Sequence, residues 1–288
     1  MEFTHIPVLL NEVMNNLVDA DDELFVDATI GGGGHGYYLL EKYRHLKLVG
    51  IDADEEALTI ARERLAPFRD RVILKKGNFR SLKEILQEES INEVDAVLFD
   101  LGISMYQMSG ERGFSFGDET SLDMRIDREE ELTAHDVVNR YDYRTLTRII
   151  KEYGEEGDAP RIARAIIDER KKSPITGARH LADVVAAAKR GRGKIHPATK
   201  TFQALRIEVN REFFNLHEGM KAATQVVKRS GKIGVITFHS LEDRMVKTLF
   251  KTNELLSVVT KKAIKPGRDE TRMNRRARSA KLRIAEKL

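Results

Sequence analysis

Residues 25–40 read FVDATIGGGGHGYYLL, an apolar run broken by glycines and a histidine and resumed as a segment of helical character. A strand that stops at a glycine turn and restarts as a helix brings backbone N–H groups and a helix N-terminus to one edge of a sheet. Glycines leave room for a ligand where a Cβ would block it. Gly31, Gly33 and Gly36 satisfy G-x-G-x-x-G, the spacing of a nucleotide-binding loop.

The same rhythm repeats on either side. ELFVDAT (23–29) leads into GYYLLEKYR (36–44), and LKLVGIDAD (46–54) into EEALTIARERLAPF (55–68). RVILKKGNF (71–79) leads into SLKEILQEES (81–90), with Ser81 as the expected N-cap. EVDAVLFDLGIS (93–104) makes a fourth strand. Strands alternating with helices predict a mostly parallel sheet covered on both faces, the α/β class. After Ser104 the pattern changes. Residues 105–130 read as a long loop, and Thr133 to about Lys228 as helices, with Thr133 and Asp136 spaced for a capping box. KSPITG and GRGKIHP connect those helices. The β pattern returns in GKIGVITFHS (231–240), with two further strands expected in LLSVVTKKAI and AKLRIAEK. The organisation expected is one discontinuous α/β domain, residues 1–107 and 211–288, interrupted by a helical insert, residues 108–210. The insert leaves from the end of the fourth strand, where open α/β sheets bind ligands, and is read as shaping the substrate site.

Composition excludes several chemistries. The 288 residues contain no cysteine, which removes disulfides, Cys-ligated zinc, iron–sulfur clusters and thiol nucleophiles; no metal site is assigned. No apolar run approaches a membrane span and the start lacks a signal-peptide pattern, so a cytoplasmic protein with no membrane partner is expected. Net charge is only +3. Residues 261–288, however, hold eleven Lys and Arg against three Asp and Glu, a surplus of eight that leaves the remainder at minus five. A basic tail on a mildly acidic body is one way to present a face to a polyanion; a solvated terminus is the plain alternative.

Asp52 ends the second strand about 20 residues after the loop, where a carboxylate can take both ribose hydroxyls. That suits NAD and S-adenosylmethionine equally. Asp27 and Asp100, expected at the same edge, favour S-adenosylmethionine. Two further carboxylates repel a pyrophosphate and attract a ligand that carries a sulfonium and an ammonium. Strand-end capping without a ligand also accounts for either residue. Without a cysteine, ring-activating C5 methylation lacks its nucleophile, whereas an exocyclic amine needs none. Its delocalised lone pair calls for acceptors on its N–H groups and for positioning. DLGIS (100–104) supplies a carboxylate, carbonyls and a hydroxyl, and RGFSF presents Phe114 and Phe116 either to stack a base or to anchor the loop.

These motifs resemble the MraW-type bacterial 16S ribosomal RNA (cytosine-N4) methyltransferase family. The resemblance rests on HIPVLLNEV, DATIGGGGHG, GIDAD, LFDLGIS, ERGFSF, LDMRID, YGEE, RIARAI, HPATKTFQALRIEVN, TFHSLEDR and RARSAKLRIAEK, in order from residue 5 to 287. It implies a class I S-adenosylmethionine-dependent, Rossmann-like domain with an all-helical insert, methylating N4 of a cytosine in the decoding region. The implied partner is 16S ribosomal RNA within the small subunit, and a homodimer is compatible with it. By motif position it puts donor binding on Gly33, Gly34, His35, Asp52, Phe79, Asp100 and Gln107, with Asp52 on the ribose and Phe79 beside the adenine. The chain departs from the family at SMYQ (104–107), where Ser-Ser-Pro-Gln is common, and at Arg275, which replaces a proline.

For catalysis, Asp100 is the leading candidate to contact the target amine, with Ser104 and His239 secondary. Asp243 and Arg244 are spaced for a local ion pair. Arg112, the 261–288 stretch, and Lys189, Arg190, Arg192 and Lys194 are candidate phosphate contacts. Three rivals stay open: an NAD-dependent oxidoreductase, a DNA amino-methyltransferase (whose Pro-Pro-aromatic motif is missing after Asp100), and a noncatalytic ribosome-assembly factor that keeps a donor pocket.

Overall fold

Consecutive residues of the apolar runs point to opposite sides of a pleated strand, so a run that is apolar throughout needs cover on both faces. The computed structural model of the chain describes residues 6–103, 108, 112–117, 119, 121–191 and 195–288 and shows how that cover is supplied. The sheet contains β1 (Leu24–Asp27), β2 (Lys47–Asp52), β3 (Val72–Lys76), β4 (Val94–Asp100), β5 (Val227–Thr237), β6 (Leu256–Val258) and β7 (Lys281–Lys287) in the order β3-β2-β1-β4-β5-β7-β6. The first five strands are parallel, whereas β7 runs antiparallel to β5 and β6 antiparallel to β7. This is the mostly parallel α/β sheet expected from the alternation, in the Rossmann-like class I methyltransferase architecture that the resemblance implies.

Phe25, Leu48, Ala96 and Leu98 face one core, which also takes Val13 from α1 (Leu10–Asn16) and its C-cap Leu17, Leu39 and Leu40 from α2 (Gly34–Lys42), and Leu58 and Leu65 from α3 (Glu55–Leu65). Their neighbours Val26, Val49, Val97 and Phe99 face the other core. There they meet Leu82 and Leu86 of α4 (Leu82–Glu88), and further along the chain Leu216 and Met220 of the helix Glu212–Val226 and Val246 and Phe250 of the helix Ser240–Thr252. Each large side chain sealed in this way contributes roughly 1.5–3 kcal/mol. Ser81 occupies the N-cap position of α4, but its hydroxyl makes no capping bond. Asn78 does the capping one turn earlier, accepting from the Arg80 N–H at 3.0 Å.

The chain divides into two compact units, Met1–Gly102 with Phe214–Leu288, and Ile103–Phe213. The second unit is helical: α5 (Ala134–Arg140), α6 (Tyr143–Glu152), α7 (Ala159–Arg170), α8 (Ala178–Ala188) and α9 (Thr199–Val209). It has its own core around Leu146, Ile149, Ile162, Ile166, Leu181, Val185 and Leu205. Thr133 and Asp136 form the expected capping box on α5. The helices α10 (Glu212–Val226), α11 (Ser240–Thr252) and α12 (Arg268–Met273) complete the chain order. No described helix is long and apolar enough to cross a membrane.

Several residues expected at the surface are absorbed by the fold. Phe114 is buried in the helical core, and Phe116 stacks on His196 at 4.3 Å and meets Phe202 edge-on at 4.8 Å, so both rings anchor their loop. Arg112 is 3% exposed, which leaves no room for a phosphate. Asp243 pairs with Lys281 and Arg283, each at 2.7 Å, instead of with Arg244. Two cations of the basic stretch are thereby neutralised. Lys287 is taken by the Val227 carbonyl at 2.6 Å, and Lys189 by Glu156 at 2.8 Å. Arg192 and Lys194 lie outside the described residues.

Asp95 ties the first unit together. Its Oδ2 accepts from the N–H groups of Glu23 at 2.9 Å and Leu24 at 2.7 Å, and its other oxygen pairs with Lys228. Burial opposes its charge, but Lys228 and the two N–H groups outweigh that and hold the carboxyl below its ordinary value. Asp95→Ala leaves two strand-end N–H groups without an acceptor, an expected loss of about 1–3 kcal/mol in urea unfolding at pH 7. Because the folded carboxyl is the stronger acid, that difference is present above the ordinary carboxylate value and shrinks as pH falls through the lowered one. A loss unchanged down to pH 2 contradicts the assignment.

Candidate functional site

Parallel strands β2, β1 and β4 are neighbours, so Asp52, Asp27 and Asp100 at their C-terminal ends share one edge of the sheet. The glycine loop is built over that edge. Gly33 has φ +74° and serves as the N-cap of α2, a backbone setting that L side chains avoid. Gly34 is required for another reason: a Cβ there meets Pro7 Cγ at 2.8 Å, so the N-terminal segment lies directly against the loop. His35 follows on α2, 4% exposed. Its Nε2 is 3.0 Å from the Val8 carbonyl, and its Nδ1 is 3.9 Å from Asp100 Oδ2.

Each carboxylate is held differently. Asp52 Oδ2 accepts from the Gly31 N–H at 2.8 Å, and its Oδ1 from the Asp54 N–H at 2.9 Å. This draws the loop onto the end of β2. Burial still pushes Asp52 up to about 6, against those N–H groups. Asp27 is 1% exposed, and burial, with the charges of Asp100 and Asp52, drives it to about 8 despite its bonds to Thr29. It is therefore mostly a neutral acid at pH 7, and the expectation that it adds a charge to the edge is corrected. Burial raises Asp100 to about 7, with Arg276 lowering and Glu242 raising it.

Asp100 has a further property. Its side chain is 26% exposed, yet Oδ1 is sealed from solvent and has no hydrogen-bond partner among the described residues. A buried carboxylate oxygen without a donor is costly, and it is the atom here best placed to accept from a ligand. The backbone of Asp100 is fixed on both sides. Its own N–H donates to Thr29 Oγ1 at 2.6 Å, and the next N–H, of Leu101, donates to the Ile236 carbonyl at 3.0 Å. The ladder from β1 to β4 has its last backbone bond from Ala28 N–H to the Leu98 carbonyl at 2.8 Å. The Thr29 hydroxyl therefore extends the pairing one step beyond the strand and couples the glycine turn to Asp100. Thr29 is the site residue that the sequence reading missed. Its signal was an alcohol placed two residues after the strand-ending Asp27.

Phe79 opens the short 3₁₀ turn after β3 and sits edge-on to Phe99 with centroids 5.5 Å apart, half-buried at the same end of the sheet. His239 is the N-cap of α11. Its ring accepts from the Glu242 N–H at 3.3 Å, while Glu242 Oε2 returns bonds to the N–H groups of Phe238 and His239. Its Nε2 is 3.0 Å from Glu242 Oε1. That is a reciprocal capping box, and it fixes the ring of a residue expected to face the acceptor. Ser104 and Gln107, with Met105 and Tyr106, lie outside the described residues.

Residues 2–288 match the model of the MraW methylase family. A ribosomal RNA small subunit methyltransferase H of Sulfurihydrogenibium sp. (strain YO3AOP1) is 46% identical over 290 residues, 99% of each chain. The protein of the same name from Persephonella marina (strain DSM 14350 / EX-H1) is 47% identical, again over 99% of each. That of Carboxydothermus hydrogenoformans (strain ATCC BAA-161 / DSM 6008 / Z-2901) is 46% identical over 309 residues, 100% of this chain and 99% of that one.

Thr29→Val keeps the shape of the side chain and removes the acceptor for the Asp100 N–H. The expected cost is about 1–3 kcal/mol of stability, with weaker donor binding measured by calorimetry, and Thr29→Ser restores both. Wild-type stability and binding in the valine variant contradict the coupling.

Proposed function

The chain belongs to the MraW methylase family, and from that premise we propose that it methylates N4 of a cytosine in the decoding region of 16S ribosomal RNA by direct in-line transfer. The methyl donor is S-adenosylmethionine. The carboxylate edge fits it. Asp100 Oδ1 is buried without a partner, and Asp52 and Asp100 are both raised by burial, so the edge gains from a ligand that brings positive charge. When bound there, S-adenosylmethionine supplies an electrophilic methyl group on a sulfonium.

Every other role falls to the protein's own residues. Gly33, Gly34 and the backbone of His35 offer the helix N-terminus of α2. Asp52 takes the ribose hydroxyls with the lone pairs that its two backbone contacts leave, and Phe79 flanks the adenine. Asp100, whose side chain stays 26% exposed, accepts an N–H of the target amine, which turns the nitrogen lone pair toward the methyl, and Asp100 is a candidate to take the proton released. A carboxyl near 7 is matched to that exchange at neutral pH. With no cysteine in the chain, no thiol adduct to the ring is available, which supports direct transfer. The helical unit is read as the part that recognises the substrate, and the relatives' names support ribosomal RNA of the small subunit as that substrate; the reading places it within the small subunit, in the cytoplasm. The single observation that carries the proposal is the orphaned Asp100 Oδ1 at the edge under the glycine turn.

The test is transfer of labelled methyl from S-adenosylmethionine to small subunits that lack the modification, with the RNA digested and its nucleosides resolved by mass. Label in N4-methylcytidine is expected, and Asp100→Asn slows its formation by about 10²-fold or more. Label in another nucleoside overturns the target. No label, with the donor still bound, turns the reading into that of a noncatalytic donor-binding assembly factor.

A further inference from the structure

The helical unit carries an open cavity of about 440 Å³ lined by Tyr143, Pro160, Arg161, Arg164, Ala165 and Ala188. Arg161 and Arg164 lie one turn apart on α7, and both are exposed. The Arg164 guanidinium rests over the Tyr143 ring, 4.7 Å from its centroid.

Several other surface cations of the helical unit are paired. Lys171 pairs with Asp168 at 2.9 Å, Lys172 with Glu169 at 2.8 Å, Lys189 with Glu156 at 2.8 Å and Arg179 with Glu119 at 2.7 Å. Among the described residues, neither Arg161 nor Arg164 has a carboxylate oxygen in ion-pair range, although both are fully described. Asp168 is the acid that feels Arg164, but its carboxyl is held below the ordinary value first by Lys171. Arg161 stands in the first turn of its helix, after the N-cap Asp158, where the helix dipole disfavours a cation. Folding gains little from placing it there.

We propose that this cavity is a contact site for the sugar-phosphate backbone of RNA. The inference rests on the RNA reading given above and names the surface of the helical unit that serves it. An arginine fork matches a phosphate, and a guanidinium stacked on a ring keeps its in-plane N–H donors for the anion. Pro160, Ala165 and Ala188 give the sugar a floor that demands no hydrogen bonds. The cavity has the size of a small-ligand pocket, too small for a protein helix and sufficient for about one nucleotide.

The experiment compares the full-length wild type with Arg161→Glu/Arg164→Glu. Affinity for protein-free 16S ribosomal RNA and for assembled small subunits is measured from 50 to 300 mM salt. The variant is expected to bind both about ten-fold more weakly at 0.1 M salt, with a slope of log affinity against log salt shallower by roughly one to two. Its KM for the subunit rises, its S-adenosylmethionine affinity and melting temperature hold, and Arg161→Lys/Arg164→Lys recovers part of the affinity. Unchanged affinity and slope overturn the site. A loss seen only with assembled subunits, and not with protein-free RNA, assigns the surface to a ribosomal protein and also overturns it. Failure of the wild type to bind either RNA overturns the RNA reading itself, whatever the variant does.

Discussion

Asp52, Asp27 and Asp100 end three neighbouring strands, so the topology delivers their charges to a single edge before any loop is laid over it. Water would satisfy them, but the fold takes much of it away: Asp27 is 1% exposed and Asp100 Oδ1 is sealed. The protein answers with backbone N–H groups: Gly31 and Asp54 to Asp52, and Thr29 to Asp27 at 3.2 Å. Where these are not enough, it answers with protons, since burial raises all three carboxyls. Asp100 Oδ1 receives no N–H group from the described residues. Among the described residues the fold thus leaves this oxygen without a donor, and a ligand can supply one.

This arrangement changes the charge argument without reversing it. Three ionised carboxylates would have made the edge repel any phosphate. With Asp27 at about 8, the working charge lies on Asp52 and Asp100. The neutral Asp27 acts as a buried partner for Thr29, which in turn holds Asp100 by its backbone. The contribution of Asp27 is therefore to geometry, and a cationic ligand is favoured by the two residues that still titrate near neutrality.

Much of this was legible in the amino-acid order because it depends on local rules. The period of two in FVDAT and VLFD fixes which residues face each core, the glycines mark the turn, and Thr133-x-x-Asp136 announces its helix. The same spacing in His239-x-x-Glu242 encodes a capping box as well, but histidine is an uncommon N-cap and its ring invites a catalytic role instead. What stayed hidden depends on residues distant in sequence. The partners of Asp243 stand 38 and 40 positions away, and Arg112 and Phe114 are buried by helices that follow them. Charge counting treats every lysine and arginine as available, whereas packing pairs several of them internally.

The account turns on Asp100 being a partly protonated, partner-poor carboxyl that a cationic ligand ionises. The direct test is carbon-detected NMR titration of protein labelled at the aspartate carboxyl carbon, with Asp100 assigned through Asp100→Asn. In the free protein its resonance should titrate near 7, and saturating S-adenosylmethionine should move that midpoint down, because an opposite charge favours the ionised form. An ordinary carboxylate midpoint in the free protein, or one that the ligand does not move, contradicts it.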